Sequence, residues 1–379
     1  MKHRSVIALL LTLFATSARA DWPLIGPEAT PTPAVVQPDS VFTEVDMDWS
    51  GVTIETDARA LASVAQSTSD YLWRSDLRSD HSAPHGMRDE LGITPQDVRD
   101  TLAFITRVAS EDVGRPGQRL EDADFLSTHF RVLKWSGDRE QARANGVAVS
   151  GGRVRITKYL VYQHFGSAQP TATHNTGLYG IPAEEEGLSL EQADAQPDLL
   201  RHHYTRSQVL DGVFGTGGVS AGLAPALVWM RRQDIHEALM QGTVELTLAG
   251  GITRTFNVHR SNGIPYVHGE RNPERQDRFW YFREVDGVRG WGQSPEDKIQ
   301  LQAEAAVAGD ARNLGLGGLF AIRATDGFRL VVLADTGGAF EPNLYQLDFF
   351  AGAFPDRATF DRAVAPIPAR AEVYLLVRR

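Results

Sequence analysis

Two aspartates near the C-terminus have the surroundings of groups that could carry out acid–base chemistry. Asp335 ends a run of β-branched and aliphatic residues at 329–334, and Asp348 lies between Leu347 and Phe349 in a second run at 343–350. Such runs predict strands, and the glycines at 337 and 338 predict a turn with positive φ between them. A carboxyl group flanked by apolar side chains has a raised pKa and can hold a proton at neutral pH. Asp348 is therefore a candidate general acid, and both carboxylates could face one groove.

Two other interpretations of this stretch are open on the pattern alone. The tripeptide at 335–337, Asp-Thr-Gly, is also the nucleophile turn of aspartic proteases. Those enzymes need two such turns, so that two carboxylates share one proton, and the chain has no second one between apolar strands. The two aspartates could also simply cap turns, because Asp readily bonds to its own backbone.

The same stretch resembles a known family. Residues 334–340 (ADTGGAF) and 347–352 (LDFFAG) are similar to the motif of the three-aspartate domain of the lytic murein transglycosylase A family, roughly A-x-D-T-G-G-A-I and then x-D-x-F-x-G. Residues 307–317 (VAGDARNLGLG) resemble the family's earlier element, A-V-D-x-x-x-I-P-L-G, without its proline. The resemblance implies a double-psi β-barrel in which Asp310, Asp335 and Asp348 form a structural three-aspartate set.

The composition fits an exported globular protein. The chain has 379 residues, 42% hydrophobic and 23% charged, which suits one large or two moderate domains. Residues 1–20 have a basic start, an apolar run and an Ala-Arg-Ala end, which predict a secretory signal peptide. Its removal takes away Lys2, Arg4 and Arg19 and changes the formal net charge from −10 to −13, which argues against a nucleic-acid partner.

The absence of cysteine bears on how the protein is held in its compartment. Members of the resembled family are often anchored by a lipid on the first mature cysteine, so no lipid anchor is expected here. After the signal peptide, no stretch approaches the roughly 18 consecutive apolar residues of a membrane span. We expect a soluble periplasmic protein, and the sequence does not identify its protein partners.

The domain organisation follows partly from composition and partly from the resemblance. Residues 21–40 are rich in proline and predict an extended tether, and residues 57–66 and 94–110 predict helices, the second with Thr94 as N-cap. The resemblance runs from about residue 125 to the C-terminus. It implies a fold that is mainly β with accessory helices, in which a barrel domain at 41–164 and 279–379 carries an inserted second β-rich domain at 165–278, with the substrate groove between them.

Candidate glycan ligands lie in the segments that resemble the family's groove motifs. Aromatic rings stack on sugar faces, and an amide offers both donors and an acceptor to sugar hydroxyls. The candidates are Gln241, Gly242, Thr243, Tyr159, Tyr162, Asn262 and Tyr266. The open alternatives are buried strand tyrosines at 159 and 162 and a glutamine that braces a loop at 241. The adjacent histidines at 202 and 203 lack the spacing of metal ligands, and neither a metal nor a cofactor is expected.

The resemblance implies cleavage of the β-1,4 bond between N-acetylmuramic acid and N-acetylglucosamine in peptidoglycan glycan strands. The reaction would be non-hydrolytic and leave 1,6-anhydromuramic acid ends, with Asp348 as the catalytic acid and Asp335 in a supporting role. Two alternatives stay open. One is a glycan hydrolase in which Asp335 activates water, and the other is a non-catalytic, expansin-like wall-binding protein.

Overall fold

The computed structural model of the chain describes residues 41–49, 51–76, 83–149, 151–267, 269–270, 272–337, 340 and 342–379. The predicted signal peptide and tether at 1–40, and Gly338 of the predicted turn, lie outside the described residues. The strands are β1 (Phe42–Glu44), β2 (Phe130–Trp135), β3 (Val154–Phe165), β4 (Thr176–Tyr179), β5 (Ala226–Met230), β6 (Thr243–Thr247), β7 (Thr253–Ser261), β8 (Trp280–Val285), β9 (Ala306–Ala308), β10 (Leu319–Arg323), β11 (Phe328–Asp335), β12 (Gln346–Phe354), β13 (Arg370–Ala371) and β14 (Val373–Arg378). The helices are α1 (Ala58–Asp76), α2 (Pro95–Glu111), α3 (Ala123–His129), α4 (Arg139–Ala144), α5 (Leu190–Asp194), α6 (Arg206–Leu210), α7 (Arg232–Gln241), α8 (Ala311–Leu314) and α9 (Arg357–Ala363).

The helix predicted at 94–110 is confirmed, together with its cap. The Thr94 hydroxyl accepts a hydrogen bond from the Asp97 backbone N–H, and the Asp97 carboxylate accepts one from the Thr94 backbone N–H (2.8 Å). The two bonds satisfy amide groups that the first turn of a helix otherwise leaves without partners. Val98, Leu102 and Ile105 are buried along one face, so α2 is fixed at its start by the cap and along its length by the core.

The first predicted helix is longer than the sequence pattern indicates. It was expected at 57–66, but α1 continues to Asp76. The polar residues at 67–70 weaken the helical pattern, because serine and aspartate compete for backbone hydrogen bonds. In the structure Thr68 is fully buried, its hydroxyl donates to the Val64 carbonyl (2.7 Å), and Leu72 packs into the core. Tertiary packing therefore extends the helix beyond what local propensity predicts.

One large mixed sheet carries the predicted aspartates. Its strand order is β1-β2-β14-β10-β11-β9-β12-β3-β6-β7-β8, with β13 paired to β3, and β4 and β5 form a separate pair. The short strand β9 lies between β11, to which it is parallel, and β12, to which it is antiparallel. The long strand β3 is parallel to both β12 and β6, so it connects the C-terminal strands with the middle of the chain. The predicted mainly β fold with accessory helices is confirmed, and closure of the sheet as a double-psi barrel stays a prediction.

Buried apolar residues form two hydrophobic clusters. The first draws on the described residues of 41–161 and 299–377, and the second lies within 178–282. This division agrees with an insertion in the middle of the chain, whose limits at 165 and 278 stay a prediction. Among the residues that the structure describes, no helix has both the length and the apolar character needed to cross a membrane.

Candidate active site

The sheet brings the two candidate aspartates to opposite sides of one residue. Asp335, the last residue of β11, and Asp348, in β12, are both paired in register with Ala308 of β9. Neighbouring strands lie about 4.8 Å apart, so the two Cα atoms are separated by about 10 Å, and residues in register project to the same face. Tyr159 of β3, on the other side of β12, reaches this face, because its hydroxyl donates to Asp335 Oδ2 (3.0 Å).

Asp335 is fixed by hydrogen bonds to both carboxylate oxygens. Oδ1 accepts from the Thr336 backbone N–H (2.8 Å) and Oδ2 from Tyr159. Burial raises the pKa of Asp335 to about 7, and this rise is opposed by the Thr336 N–H, the Tyr159 hydroxyl and the charge of Lys298. The turn that follows Asp335 differs from the prediction in one respect, because Gly337 does not have positive φ. Its carbonyl accepts from the Phe340 N–H (2.9 Å), and such a bond needs no left-handed residue at its first position.

Asp348 is buried with one oxygen unused. The residue is 3% exposed, and Oδ1 has no hydrogen-bond partner among the described residues. Burial raises the pKa of Asp348 well above its usual range, the Thr157 hydroxyl offsets part of the rise, and the nearby Asp335 charge adds to it. A buried polar atom without a protein partner costs free energy unless water or a ligand bonds to it.

The raised pKa of Asp348 predicts how stability depends on pH. The folded protein keeps this proton where the unfolded chain has already lost it, so stability from Asp348 is full below about pH 4 and falls as pH rises, by up to about 1.4 kcal/mol per pH unit. Asn has no such proton. We expect the difference in free energy of unfolding, wild type minus Asp348→Asn, to decrease from about pH 4 to about pH 7 in urea denaturation. A flat or rising difference would contradict the raised pKa.

Two further residues at the site, Lys298 and Asn257, were not predicted. Lys298 is 7% exposed, and its ammonium group donates to Asn257 Oδ1 (2.7 Å) and to the Val258 carbonyl (3.3 Å). The positive charge of Lys298 lowers the pKa of Asp335 and so opposes the effect of burial. The segment around it, Ser-Pro-Glu-Asp-Lys, reads as a solvated polar loop. Nothing in the sequence signals that this lysine is buried.

The predicted binding turn at 241–243 lies next to Asn257, the hydrogen-bond partner of Lys298. Gln241 ends α7, Gly242 caps the helix in the left-handed conformation (φ 75°), and Thr243 begins β6. Asn257 Nδ2 donates to the Gly242 carbonyl (3.1 Å) and to Thr243 Oγ1 (2.7 Å). These two hydrogen bonds from Asn257 hold the turn in place. A glycan role for Gln241, Gly242 and Thr243 stays a prediction.

The other candidate binding residues are dispersed. Tyr162 is three residues from Tyr159, so strand alternation turns it to the opposite face, where its ring stacks on His164 (5.6 Å between centroids). Tyr266 packs against the second hydrophobic cluster. The structure therefore does not bring these two tyrosines to the aspartate pair.

Asn262 serves the loop that contains it. Its side-chain amide donates to the Tyr204 and Asp277 carbonyls (3.0 and 2.9 Å), and its oxygen accepts from the backbone N–H groups of Ile264 and Phe279 (3.3 and 3.0 Å). Asn262 is 1% exposed. Since both donors and the acceptor are already used, its side chain has nothing left for a sugar. In this geometry the Asn262 side chain holds its own loop, and the ligand role stays a prediction.

Asp310 also has a structural position. It caps α8, where it accepts from the Asn313 backbone and side chain (3.0 and 2.6 Å), and it accepts from the Asn343 backbone N–H (2.8 Å). The carboxylate thus ties the segment after β9 to the segment before β12, the two strands that position Asp348. This agrees with a structural member of a three-aspartate set.

A cavity of about 540 Å³ lies on the other side of the segment that carries Lys298. It is bordered by the end of α1, the loop at 185–190, parts of β7 and β8, and residues 293, 294, 296 and 297. None of the candidate residues lines it. Within the described parts of the chain, no group of three or more His, Asp or Glu side chains could hold a metal ion.

Comparison with known proteins identifies the fold. No protein-family model matches the sequence, and no curated protein sequence matches it either. Solved structures do match. A membrane-bound lytic murein transglycosylase from Agrobacterium tumefaciens is 18% identical, with a TM-score of 0.57 over 89% of this chain and 98% of that one. MltA from Escherichia coli with bound chitohexaose is 14% identical, with a TM-score of 0.53 over 92% and 99%. MltA from Neisseria gonorrhoeae is 17% identical, with a TM-score of 0.52 over 92% and 95%. The resemblance to the lytic murein transglycosylase A family is therefore confirmed at the level of the fold.

Proposed function

We propose that the protein is an enzyme, a peptidoglycan lytic transglycosylase, in which Asp348 is the catalytic acid. The observation that carries the proposal is the different hydrogen bonding of two buried aspartates, in a fold shared with lytic murein transglycosylases. Asp335 has a hydrogen-bond donor on each oxygen, whereas Asp348 Oδ1 has none in the part of the chain that the structure describes. A carboxylate held by donors favours its ionised form, and a desolvated carboxyl group favours its protonated form.

The reaction needs only one group that gives and recovers a proton. Asp348 would donate its proton to the glycosidic oxygen as the bond to C1 of N-acetylmuramic acid breaks. The C6 hydroxyl oxygen of the same sugar would then bond to C1, and its proton would return to Asp348. Because the nucleophile belongs to the substrate, the reaction needs no water, metal or second catalytic carboxylate. The intramolecular attack also benefits from a high effective molarity.

Asp335 would support Asp348 by its charge. An ionised Asp335 on the same face raises the pKa of Asp348 and so helps it to hold a proton at rest. A hydrolase would instead require Asp335 to bind and activate water. The donors already present on both of its oxygens favour the supporting role.

The proposed substrate is a glycan strand, held between the aspartate pair and the turn at 241–243. The similar E. coli structure contains chitohexaose, which supports a glycan-binding groove in this fold. Because Asp348 is 3% exposed, a glycan reaches it only after side chains over the carboxyl group have moved. We further propose export to the periplasm, on the basis of the predicted signal peptide at 1–20.

Products from purified sacculi test this function. We expect the mature protein to release fragments ending in 1,6-anhydromuramic acid, since the internal C6 hydroxyl replaces water as the nucleophile. Mass spectrometry distinguishes them, because each is lighter than the hydrolytic product by one water and cannot be reduced by borohydride. Reducible ends would show hydrolysis instead. Sedimentation with sacculi without any release would show a wall-binding protein.

A further inference from the structure

Lys298 is a buried cation whose partners among the described residues are neutral. Its ammonium group donates to an amide oxygen of Asn257 and to the Val258 carbonyl, both on β7. Burial lowers the pKa of Lys298 to about 8, which is still high enough for a positive charge at neutral pH. A buried charge without a contacting counter-ion is costly, so its presence calls for a reason beyond packing.

The backbone that carries Lys298 is fastened to the end of β11. The Ile299 N–H donates to the Trp291 carbonyl and the Trp291 N–H to the Ala334 carbonyl, both at 2.9 Å. At Gly290 a Cβ would lie 2.6 Å from the Ala334 carbonyl oxygen and 3.1 Å from Asp335 Cβ, so only glycine fits there. The hairpin at 290–299 therefore lies directly against the strand end that presents Asp335.

Asn257 connects Lys298 to the turn at 241–243. Its oxygen accepts from Lys298, and its nitrogen donates to Gly242 and Thr243. Asn257 is 2% exposed, so its two ends are committed to these partners. One chain of hydrogen bonds thus runs from the candidate glycan turn to a cation beside the aspartate pair.

We propose that Lys298 is a positioning residue that holds Asp335 ionised and, through Asn257, fixes the 241–243 turn relative to the aspartate pair. The proposal rests on the proposed function. It deepens that function because a residue outside the aspartate motif would keep Asp335 ionised while Asp348 holds the catalytic proton. The charged and titratable groups that act on Asp335 and Lys298 are Tyr159, Asp348, Glu296 and His259. Glu296 lies in the same hairpin and His259 on β7, next to the Lys298 partner Val258.

Lys298→Met tests the charge with little change in side-chain length. An ionised Asp335 raises the pKa of Asp348 and so helps it to recover the proton of the C6 hydroxyl, so the rate should fall at acidic pH as Asp335 becomes protonated. Loss of the nearby positive charge makes Asp335 harder to ionise. We expect the acidic limb of the kcat profile to move up by roughly one pH unit. KM should rise as well, since methionine cannot donate to the Asn257 oxygen and so no longer fixes the residue that holds the turn. Lys134→Met, at a lysine paired with Glu372 on the surface, is the matched control and should leave the profile unchanged.

Two further variants separate charge from folding. Lys298→Arg keeps the charge and should keep the acidic limb near its wild-type position, while Lys298→Gln removes the charge but retains a donor and should move it as Lys298→Met does. An unchanged acidic limb in a folded neutral variant overturns the proposal. It is also overturned if both neutral variants fail to fold while Lys298→Arg folds, since the charge would then serve folding alone. If the wild type itself releases no product, it is the proposed function that fails.

Discussion

Asp348→Asn is expected to reduce the rate of peptidoglycan cleavage by about 100- to 10,000-fold, the range found when a general acid is removed. Asn keeps the shape of the carboxyl group but can neither donate nor recover the catalytic proton. Glycan binding should persist, so the loss should appear in kcat and not in affinity. Turnover on isolated glycan strands measures the first, and titration with chitohexaose measures the second.

Other aspartates of the chain provide the controls. Asp361→Asn changes an exposed carboxylate that pairs with Arg357 on α9, and it should leave activity unchanged. Asp335→Asn should reduce kcat by less than Asp348→Asn, because it removes a supporting charge and not the transferred proton. Thermal melts confirm that each variant is folded. If Asp348→Asn retains more than about a tenth of wild-type kcat, the assignment of the acid is wrong.

The sequence predicted those parts of the site that local pattern determines. Apolar runs before Asp335 and around Asp348 predicted two strands, and both are present as β11 and β12. Thr94 at the start of the predicted helix at 94–110 predicted its N-cap. In each case the residues that decide the structure lie within a few positions of one another, so propensity and pattern are sufficient.

The unpredicted parts depend on contacts between distant segments. Lys298 and Asn257 are 41 positions apart in sequence, and only the packing of the hairpin at 290–299 on β7 buries them together. Asn262 was predicted as a ligand from its motif, but the carbonyls that occupy its amide come from residues 204 and 277. Residues 183–197 are acidic and show little hydrophobic pattern, as in an exposed loop, yet Glu185 within this segment is completely buried. Single-residue chemistry does not reveal which polar groups of a chain are enclosed.

Glu185 gives the second large prediction, a loss of stability. Its Oε2 accepts from Arg260 Nη1 (2.9 Å) and lies 3.1 Å from Arg201 Nε, and the two arginine side chains are 5% and 2% exposed. Glu185 therefore pairs with two buried guanidinium groups, of which Arg201 also pairs with Asp194, and it joins the 3-10 helix Ala183–Glu185 to β7 and to the 3-10 helix Leu200–His202. Removal of one member of a buried ion pair leaves an uncompensated charge and typically costs about 3–5 kcal/mol.

Glu185→Gln should accordingly lower the free energy of unfolding by about 3–5 kcal/mol, measured by urea denaturation at constant pH. Gln preserves the volume and one acceptor, so the loss reports the charge and not a cavity. Asp361→Asn again serves as control, since its exposed pair with Arg357, 2.8 Å apart on one helix, should contribute less than about 0.5 kcal/mol. All three members of the buried cluster lie in the predicted insertion, so the destabilised transition should be that of residues 165–278 if this region unfolds on its own. A loss below about 1 kcal/mol would mean that Asp194, water or neighbouring carbonyls compensate the two arginines without Glu185.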